Sequence, residues 1–228
     1  MPARTDAQQV AEALVPYVRR RTATAGRLLL GLAGPPGVGK STLAAALATE
    51  YASIERPDSA VVVGMDGFHL RQADLVHRGL DLVKGAPETF DADGFVSLLR
   101  ALRDTSRPVS APVFDRVREE PVPDALTVTP AHRLVVVEGN YLLLDGPWAP
   151  VRDLLDEVWH VRLPDDLRVP DLVQRHVAHG RTPEAAREWV LRSDEANARL
   201  VAAAAYRADA VVDLLSGRLE PVARPEVR

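Results

Sequence analysis

The sequence predicts an α/β protein in which helices cover both faces of a mostly parallel sheet, giving three layers. Apolar runs of strand length alternate with helical patterns along the chain, and this alternation is typical of parallel sheets. With 228 residues and 46% hydrophobic side chains, the chain is long enough to bury one sizeable core. No internal repeat or low-complexity linker interrupts the pattern. We therefore expect a single domain over residues 1–228.

The first predicted helix lies within residues 1–26 and has a packing role. An apolar stripe at helical spacing runs from Asp6 to Arg21, and Pro16 should kink or divide this helix. Leu28 to Leu32 is a continuous apolar run, as expected for a buried strand. A second helix should follow a glycine-rich loop and run to about Tyr51.

That loop has the phosphate-binding sequence G-x-x-x-x-G-K-[ST], with every fixed position filled. Its glycines let backbone N–H groups turn toward phosphate oxygens, and the following helix adds the positive end of its dipole. Lys40 should reach the β- and γ-phosphates of ATP, and the Ser41 hydroxyl should ligate Mg²⁺. The flanking strand and helix argue against a turn that binds nothing, and they make a P-loop NTPase sandwich the expected fold. The expected ATP-binding residues are Gly34, Pro35, Pro36, Gly37, Val38, Gly39, Lys40, Ser41 and Thr42.

Two later apolar runs each end in a carboxylate. The first is a predicted buried strand, Ala60 to Met65, and Asp66 follows it. The second is a predicted strand, Leu134 to Val137, and Glu138 follows it. Because ligands lie outside the carboxyl ends of the strands in open α/β sheets, both acids should face the phosphate loop. Glu138 should hold Mg²⁺ or its water. An isolated Asp-Gly pair is more often a turn cap, but its place after a strand of this sheet favours a functional Asp66.

Two irregular stretches lie between these strands. Leu70 to Phe90 is polar and too long for a simple connector, and such loops are often functional. Residues 107–129 are rich in proline, and two short edge strands are expected there, over 109–116 and 126–129. Asp115 and Arg116 either reach a substrate or pair with each other, and the sequence favours neither alternative. Between the two stretches, a helix should begin near Asp91 or Asp93 with a core face of Phe95, Leu98, Leu99 and Leu102.

The second half of the chain continues the alternation. A helix is expected over residues 165–180, with its firm start at Pro170 because proline suits a first helical turn. Thr182 should cap a long helix that runs to about Tyr206. The tail from Glu220 should be frayed. The remaining expected elements are a short helix at 151–155 and strands at 157–163 and 210–214.

Composition excludes several classes of function. The net charge of −4 gives no general attraction to nucleic acid or to acidic membranes, and without cysteine there is no disulfide or thiolate metal site. No run of about 18 apolar residues and no hydrophobic signal core is present, so we expect a cytoplasmic protein. The oligomeric state is left open, a homodimer included. Of the 28 Lys and Arg residues only Lys40 and Lys84 are lysines, which makes Lys84 a weak functional candidate.

Beyond the phosphate loop, several longer motifs resemble the phosphoribulokinase/uridine kinase family, which includes bacterial-type pantothenate kinases. The motifs are GPPGVGKST, MDGFH, RGLDLVKGAPETFD, VVVEGNYLL and RVPDLVQRHVAHGRT, and together they span residues 28 to 214. Uridine kinases carry two adjacent acids after the second strand, whereas this chain has Asp66 and Gly67. That difference, together with the KGAPETFD stretch, is closer to the pantothenate-kinase pattern.

This resemblance implies ATP- and Mg²⁺-dependent phosphorylation of a hydroxyl on a small metabolite that is pantothenate-, nucleoside- or sugar-like. Asp66 would accept the proton of that hydroxyl, and Arg175, with Arg168 or Arg181, would close on the phosphoryl group from a lid at about 165–182. Asp194 and Asn197 would border the substrate or the lid, or else lie on the solvated surface. The alternative is a P-loop ATPase, switch or scaffold without small-molecule phosphotransfer. The candidate substrate-binding residues are His69, Arg78, Lys84, Asp115 and Tyr141.

Overall fold

The protein is described by a computed structural model, which covers residues 5–222. Its centre is a six-stranded sheet with the order β2-β5-β1-β6-β7-β8, parallel except for β8. The strands of this sheet and of a separate hairpin are β1 (Leu28–Ala33), β2 (Ala60–Gly64), β3 (Val109–Asp115), β4 (Glu120–Val128), β5 (Leu134–Gly139), β6 (Glu157–Arg162), β7 (Ala210–Asp213) and β8 (Arg218–Pro221).

Eight α-helices surround the sheet in the described part of the chain. A π-helical turn, Val190–Asp194, joins the seventh helix to the eighth. The helices are α1 (Ala7–Ala25), α2 (Lys40–Ile54), α3 (Gln72–Arg78), α4 (Ala92–Leu102), α5 (Ala149–Leu154), α6 (Asp165–Ala178), α7 (Pro183–Trp189) and α8 (Glu195–Ala204).

The helices divide between the two faces of the sheet. Helices α1 and α2 pack on one face through residues such as Val10 and Leu43, and α4, α5 and α8 pack on the other through residues such as Phe95 and Val201. Every residue of β1 and β5 is buried, as the continuous apolar runs in the sequence require. The predicted α/β sandwich with a mostly parallel sheet is therefore confirmed.

The register of the parallel strands places three functional segments at one edge of the sheet. Glu138 on β5 lies opposite Leu32 on β1 and opposite Gly64 on β2. The phosphate loop leaves the end of β1, and the turn Met65–Phe68 leaves the end of β2. Glu138 thus stands between the loop and Asp66.

Pro16 does not divide its helix, and Pro170 does not start its own. Helix α1 runs through Pro16 without a break, and α6 begins at Asp165, so that Pro170 lies inside it instead of at its start. Both prolines are on exposed positions of their helices, where water can bond the carbonyl group that loses its N–H partner. The first helix is therefore not divided at Pro16, and the expected firm start at Pro170 was wrong although the helix lies within the expected residues 165–180.

Two strand expectations also need correction. The second strand of the proline-rich stretch begins at Glu120, six residues earlier than expected, and it pairs with β3 in a hairpin apart from the main sheet. The tail does not fray at Glu220, because Arg218–Pro221 forms β8 against β7. The rest of the predicted frayed segment, residues 223–228, lies outside the described residues. Among residues 5–222, none of the helices combines the length and apolar character needed to cross a membrane.

Candidate active site

The phosphate loop holds its lysine inward. Gly37 and Gly39 have φ angles of +76° and +101°, a conformation that side chains rarely tolerate. Helix α2 starts at Lys40, whose ammonium donates to the carbonyl oxygens of Gly34 at 2.9 Å and Pro35 at 3.0 Å and to Asn140 Oδ1 at 2.7 Å. Burial lowers the pKa of Lys40 to about 8. Every N–H of the ammonium therefore has a partner before ATP binds.

Next to this lysine, Ser41 and Glu138 form a pair suited to magnesium. The Ser41 hydroxyl donates to Glu138 Oε1 at 3.1 Å. Burial, and after it the neighbouring Asp66 carboxylate, raises the pKa of Glu138. A hydroxyl and a carboxylate with few further acids fit Mg²⁺, which is commonly bound by one or two protein groups, substrate phosphates and water. Consistently, residues 5–222 contain no cluster of three or more His, Cys, Asp or Glu side chains that would form a metal cage.

Asp66 lies on the short 3₁₀ turn at the end of β2. Its Oδ2 atom is 3.4 Å from Nη2 of Arg116, which the β3–β4 hairpin carries. Gly67 next to it packs so closely on the hairpin that a Cβ atom there would lie 2.4 Å from the carbonyl oxygen of Pro112. The hairpin is thus docked on the segment that carries the candidate base.

A single cavity of about 740 Å³ connects these groups. The predicted site residues that line it are Pro36, Gly37, Lys40, Ser41, Asp66, His69, Lys84, Glu138 and Arg175, together with Arg181, Asp194 and Asn197. The structure therefore brings the phosphate loop, the two carboxylates and the candidate lid into one space.

Three of the candidate substrate residues do not line this cavity. Arg78 is exposed in the last turn of α3. The carboxylate of Asp115 accepts hydrogen bonds from the N–H groups of Arg118 and Val117, which lower its pKa and hold the hairpin turn. Tyr141 is buried and donates to the carbonyl oxygen of Gly85. Asp115 pairs with Arg118 and not with Arg116, and Arg116 lines the cavity whereas Asp115 does not.

The arginines of the candidate lid differ in their surroundings. Arg175 lines the cavity, and burial, followed by the charge of Arg116, lowers its pKa. Arg181 stacks over the Trp189 ring at 4.2 Å. Arg168 is almost fully buried and donates to the Pro36 carbonyl at 3.0 Å and to Glu195 at 2.6 Å. These hydrogen bonds connect the phosphate loop to α6 and α8.

Two other predicted neighbours take part in contacts around the cavity. Nε2 of His176 on α6 lies 2.8 Å from the Asp194 carboxylate of the π-helical turn. The Asn197 side chain donates to the Gly85 carbonyl at 3.2 Å. These contacts link the helical segments to the loop that carries Lys84.

Sequence reasoning missed Asn140 and the role of Arg116. Asn140 follows Glu138 by two residues, so its position at the same edge of the sheet could have been predicted from the sequence. Arg116 was considered, together with Asp115, as a substrate residue or as the partner of Asp115. Its contact with Asp66 was missed, because nothing in the sequence says how the hairpin folds back on the turn after β2.

Known proteins resemble this chain in sequence and in fold. The family described as Phosphoribulokinase / Uridine kinase matches residues 29–219. The chain belongs to the phosphoribulokinase/uridine kinase family. A Schizosaccharomyces pombe protein named "Putative uridine kinase C227.14" is 37% identical over 77% of this chain and 78% of its own length. The crystal structure of a "putative fructose transport system kinase" from Silicibacter sp. TM1040 has a TM-score of 0.77 and 41% identity, covering 86% of this chain and 94% of that one.

Pantothenate kinases are less similar to this chain in sequence. The enzyme of Corynebacterium glutamicum (strain R) is 29% identical over 75% of this chain, but the match covers only 51% of that enzyme. Members of the family transfer phosphate from ATP, with Mg²⁺, to hydroxyl groups of small molecules. This family member is therefore an ATP-dependent phosphotransferase with an alcohol group as acceptor.

Proposed function

We propose that the protein transfers the γ-phosphoryl group of ATP to a hydroxyl of a pantothenate-, nucleoside- or sugar-like metabolite, with Asp66 as the base. The observation that carries this proposal is that Asp66 shares one cavity with Lys40, Ser41 and Glu138. A kinase needs, beside its phosphate loop, a carboxylate that binds neither ATP nor Mg²⁺ and can therefore act on the acceptor hydroxyl.

The donor half of the site is built from residues 34–42 and Glu138. Backbone N–H groups of the loop hold the phosphates, and Lys40 exchanges its loop carbonyls and Asn140 for phosphate oxygens. Ser41 and Glu138 would hold Mg²⁺ between them. When bound, the ion neutralises charge on the β- and γ-phosphates.

The acceptor half lies between the turn at Asp66, the loop at Lys84 and the β3–β4 hairpin. Asp66 would accept the proton of the acceptor hydroxyl as its oxygen attacks the γ-phosphorus. Arg175, which lines the same cavity from α6, would stabilise charge on the phosphoryl oxygens during transfer. The relatives' names, which mention uridine, fructose and pantothenate, support a small hydroxylated acceptor but do not single out one.

The Asp66→Asn variant tests this proposal. It retains the size of the side chain but removes the base, so we expect phosphoryl transfer to fall by about 10²–10⁴-fold while affinity for a non-hydrolysable ATP analogue changes little. ADP release with Mg²⁺-ATP and each of uridine, D-fructose and pantothenate measures the first quantity, and calorimetric titration measures the second. Asp74→Asn, on the exposed side of α3 and outside the cavity, is the matched control.

Retained transfer in Asp66→Asn would show that another group is the base. ADP release that does not depend on any acceptor would instead favour an ATPase or a switch.

A further inference from the structure

The ring of His69 is fixed in the floor of the acceptor half of the cavity. Its centroid lies 4.0 Å from that of Phe90 and 4.8 Å from that of Phe114. The backbone of His69 also bridges to Phe90, and the side chain lines the cavity three residues after Asp66. Because the imidazole contacts the rings of both Phe90 and Phe114, it has little freedom to turn.

One hydrogen bond determines which nitrogen of this ring carries the proton. Nδ1 of His69 lies 2.9 Å from the backbone carbonyl oxygen of Asp66. A carbonyl oxygen can only accept, so Nδ1 must be the donor. Burial lowers the pKa of His69, which keeps the ring neutral near pH 7. In a neutral ring with its proton on Nδ1, Nε2 has a free lone pair and is an acceptor.

The cavity floor therefore presents two acceptors side by side. The Asp66 carboxylate is one, and Nε2 of His69, which has no hydrogen-bond partner within residues 5–222, is the other. A molecule that binds here must bring two donors, and an alcohol with at least two hydroxyl groups provides them. An ionised carboxylate or phosphate placed against these two acceptors would bring no hydrogen to either of them.

The cations of the acceptor half are already matched by carboxylates. Nζ of Lys84 lies 3.2 Å from Oε2 of Glu119, and Nη2 of Arg116 lies 3.4 Å from Oδ2 of Asp66. Asp81 adds a further carboxylate to the lining. An anionic acceptor would compete with Glu119 and Asp66 for these two cations, whereas an uncharged one leaves both pairs in place.

The aromatic side chains of this floor are in contact with their neighbours. Phe90 and Phe114 both contact His69, and the ammonium of Lys84 lies 5.6 Å from the Phe114 ring centroid. Because these contacts cover part of both phenylalanine rings, the floor favours a compact polar molecule over the stacked base of a nucleoside.

We propose that the phosphoryl acceptor is an uncharged polyhydroxy compound of the sugar class, with one hydroxyl at Asp66 and a second donating to Nε2 of His69. This inference rests on the function proposed above. The acceptor oxygen at Asp66 forms a bond to the γ-phosphorus as the bond from that phosphorus to the β,γ-bridging oxygen breaks. The hydroxyl proton passes to the Asp66 carboxylate, and ADP leaves. His69 transfers no proton and acts as the specificity-determining residue.

The first test compares acceptors with the wild-type protein. ADP release is measured with Mg²⁺-ATP and uncharged D-fructose, D-ribose, sorbitol or glycerol, then with anionic D-glycerate, pantothenate or ribulose 5-phosphate, and with uridine. We expect kcat/KM for the best uncharged sugar or polyol to exceed that of every other acceptor by at least about 100-fold. Monodeoxy analogues of that compound then locate the second hydroxyl, whose loss should lower kcat/KM by about 10–100-fold.

The second test removes the acceptor atom of the protein. His69→Phe keeps a ring between Phe90 and Phe114 but lacks Nε2, so KM for the sugar should rise about 10–100-fold while KM for ATP is unchanged. In this variant the informative deoxy analogue should react within about twofold of its parent, because the missing hydroxyl no longer has a partner. His69→Gln, which keeps an acceptor, should recover part of the loss. His77→Phe, on exposed α3 outside the cavity, is the matched control.

The outcomes separate this inference from the proposed function. Preference for an anionic acceptor or for uridine, or no transfer to any uncharged sugar or polyol, overturns the inference and leaves the kinase proposal standing. Equal sensitivity of wild type and His69→Phe to every deoxy analogue also overturns it. Absence of transfer to all acceptors, uncharged, anionic and nucleoside, contradicts both. The wild-type deoxy series decides the question even if His69→Phe does not fold.

Discussion

The Nζ atom of Lys40 lies 2.7 Å from the Oδ1 atom of Asn140, and this hydrogen bond connects the phosphate loop to the end of β5. The other two donors of the ammonium bond carbonyl oxygens of the same loop. The buried ammonium is thus satisfied without a phosphate. The phosphates of ATP must replace some of these hydrogen-bond partners, and they bind Lys40 well only when its amine is protonated.

The pH dependence of ATP use follows from this arrangement. Burial lowers the pKa of Lys40 to about 8, so the ammonium is lost as the pH rises through that value. We expect kcat/KM for ATP to fall about tenfold between pH 7 and pH 9. The kcat at saturating ATP should fall less, because bound phosphates favour the charged amine. Steady-state kinetics across this range measure both.

Stability should show the opposite trend. The folded state binds the Lys40 proton less tightly than the unfolded state, whose lysine has a pKa of about 10.4. The burial cost is fully present below pH 8 and is relieved as the pH rises from there, so the free energy of unfolding should gain a contribution between about pH 8 and 10. In denaturant titrations Lys40→Met should lack this contribution, and Lys84→Met should keep it. If the free energy of unfolding changed with pH in the same way for wild type and Lys40→Met above pH 8, Lys40 would not be the source of this contribution.

The parts of the site that sequence reasoning predicted are those fixed by local pattern or by parallel pairing. The phosphate loop is a contiguous motif, and Asp66 and Glu138 each end an apolar strand at the same sheet edge. The positions of Arg116 and Arg168 depend on their contacts with Asp66 and Pro36. These partners are 50 and 132 residues away in the sequence, so no local spacing predicts the contacts. Helix α6 lies within the expected residues 165–180, but its firm start was expected at Pro170, because a proline in the first turn is common and the solvent exposure of Pro170 could not be read from the sequence. The roles of the individual site residues stay predictions.

Arg168 should matter for stability and for the shape of the phosphate loop, and not as a lid arginine. It is buried and donates to the Pro36 carbonyl, to Glu195 and to Asp165. Arg168→Met leaves the Glu195 carboxylate without its cation and the loop carbonyl without a donor. We expect a loss of about 3–5 kcal/mol in the free energy of unfolding and an ATP dissociation constant about tenfold higher. Urea titration and calorimetry measure the two effects.

Arg162→Met provides the comparison. Arg162 forms an exposed pair with Asp213, so its loss should cost about 0–1 kcal/mol and leave ATP binding unchanged. If Arg168→Met were as stable as Arg162→Met but slower in transfer, Arg168 would belong with the catalytic arginines after all.

Gly67 should be the residue that keeps the acceptor half assembled. A Cβ atom there would lie 2.4 Å from the carbonyl oxygen and 2.8 Å from the carbonyl carbon of Pro112, both backbone atoms that cannot rotate away. Gly67→Ala must therefore push the β3–β4 hairpin, which carries Phe114 and Arg116, off the turn that holds Asp66. We expect a loss of about 1–3 kcal/mol in stability. Acceptor kcat/KM should fall about 100-fold, since small misplacements of reacting groups are costly.

The donor half should be spared in this variant, because residues 34–42 do not rest on the hairpin, and ATP affinity should stay within about twofold of wild type. Gly79→Ala is the control: Gly79 has a φ of +68° with no atom within 4 Å of the added Cβ, so only backbone strain of about 1 kcal/mol is introduced. Calorimetry with the ATP analogue and ADP-release kinetics with the best acceptor are measured on both variants. Wild-type acceptor kinetics in Gly67→Ala would mean that contact between hairpin and turn is not needed for the position of the base.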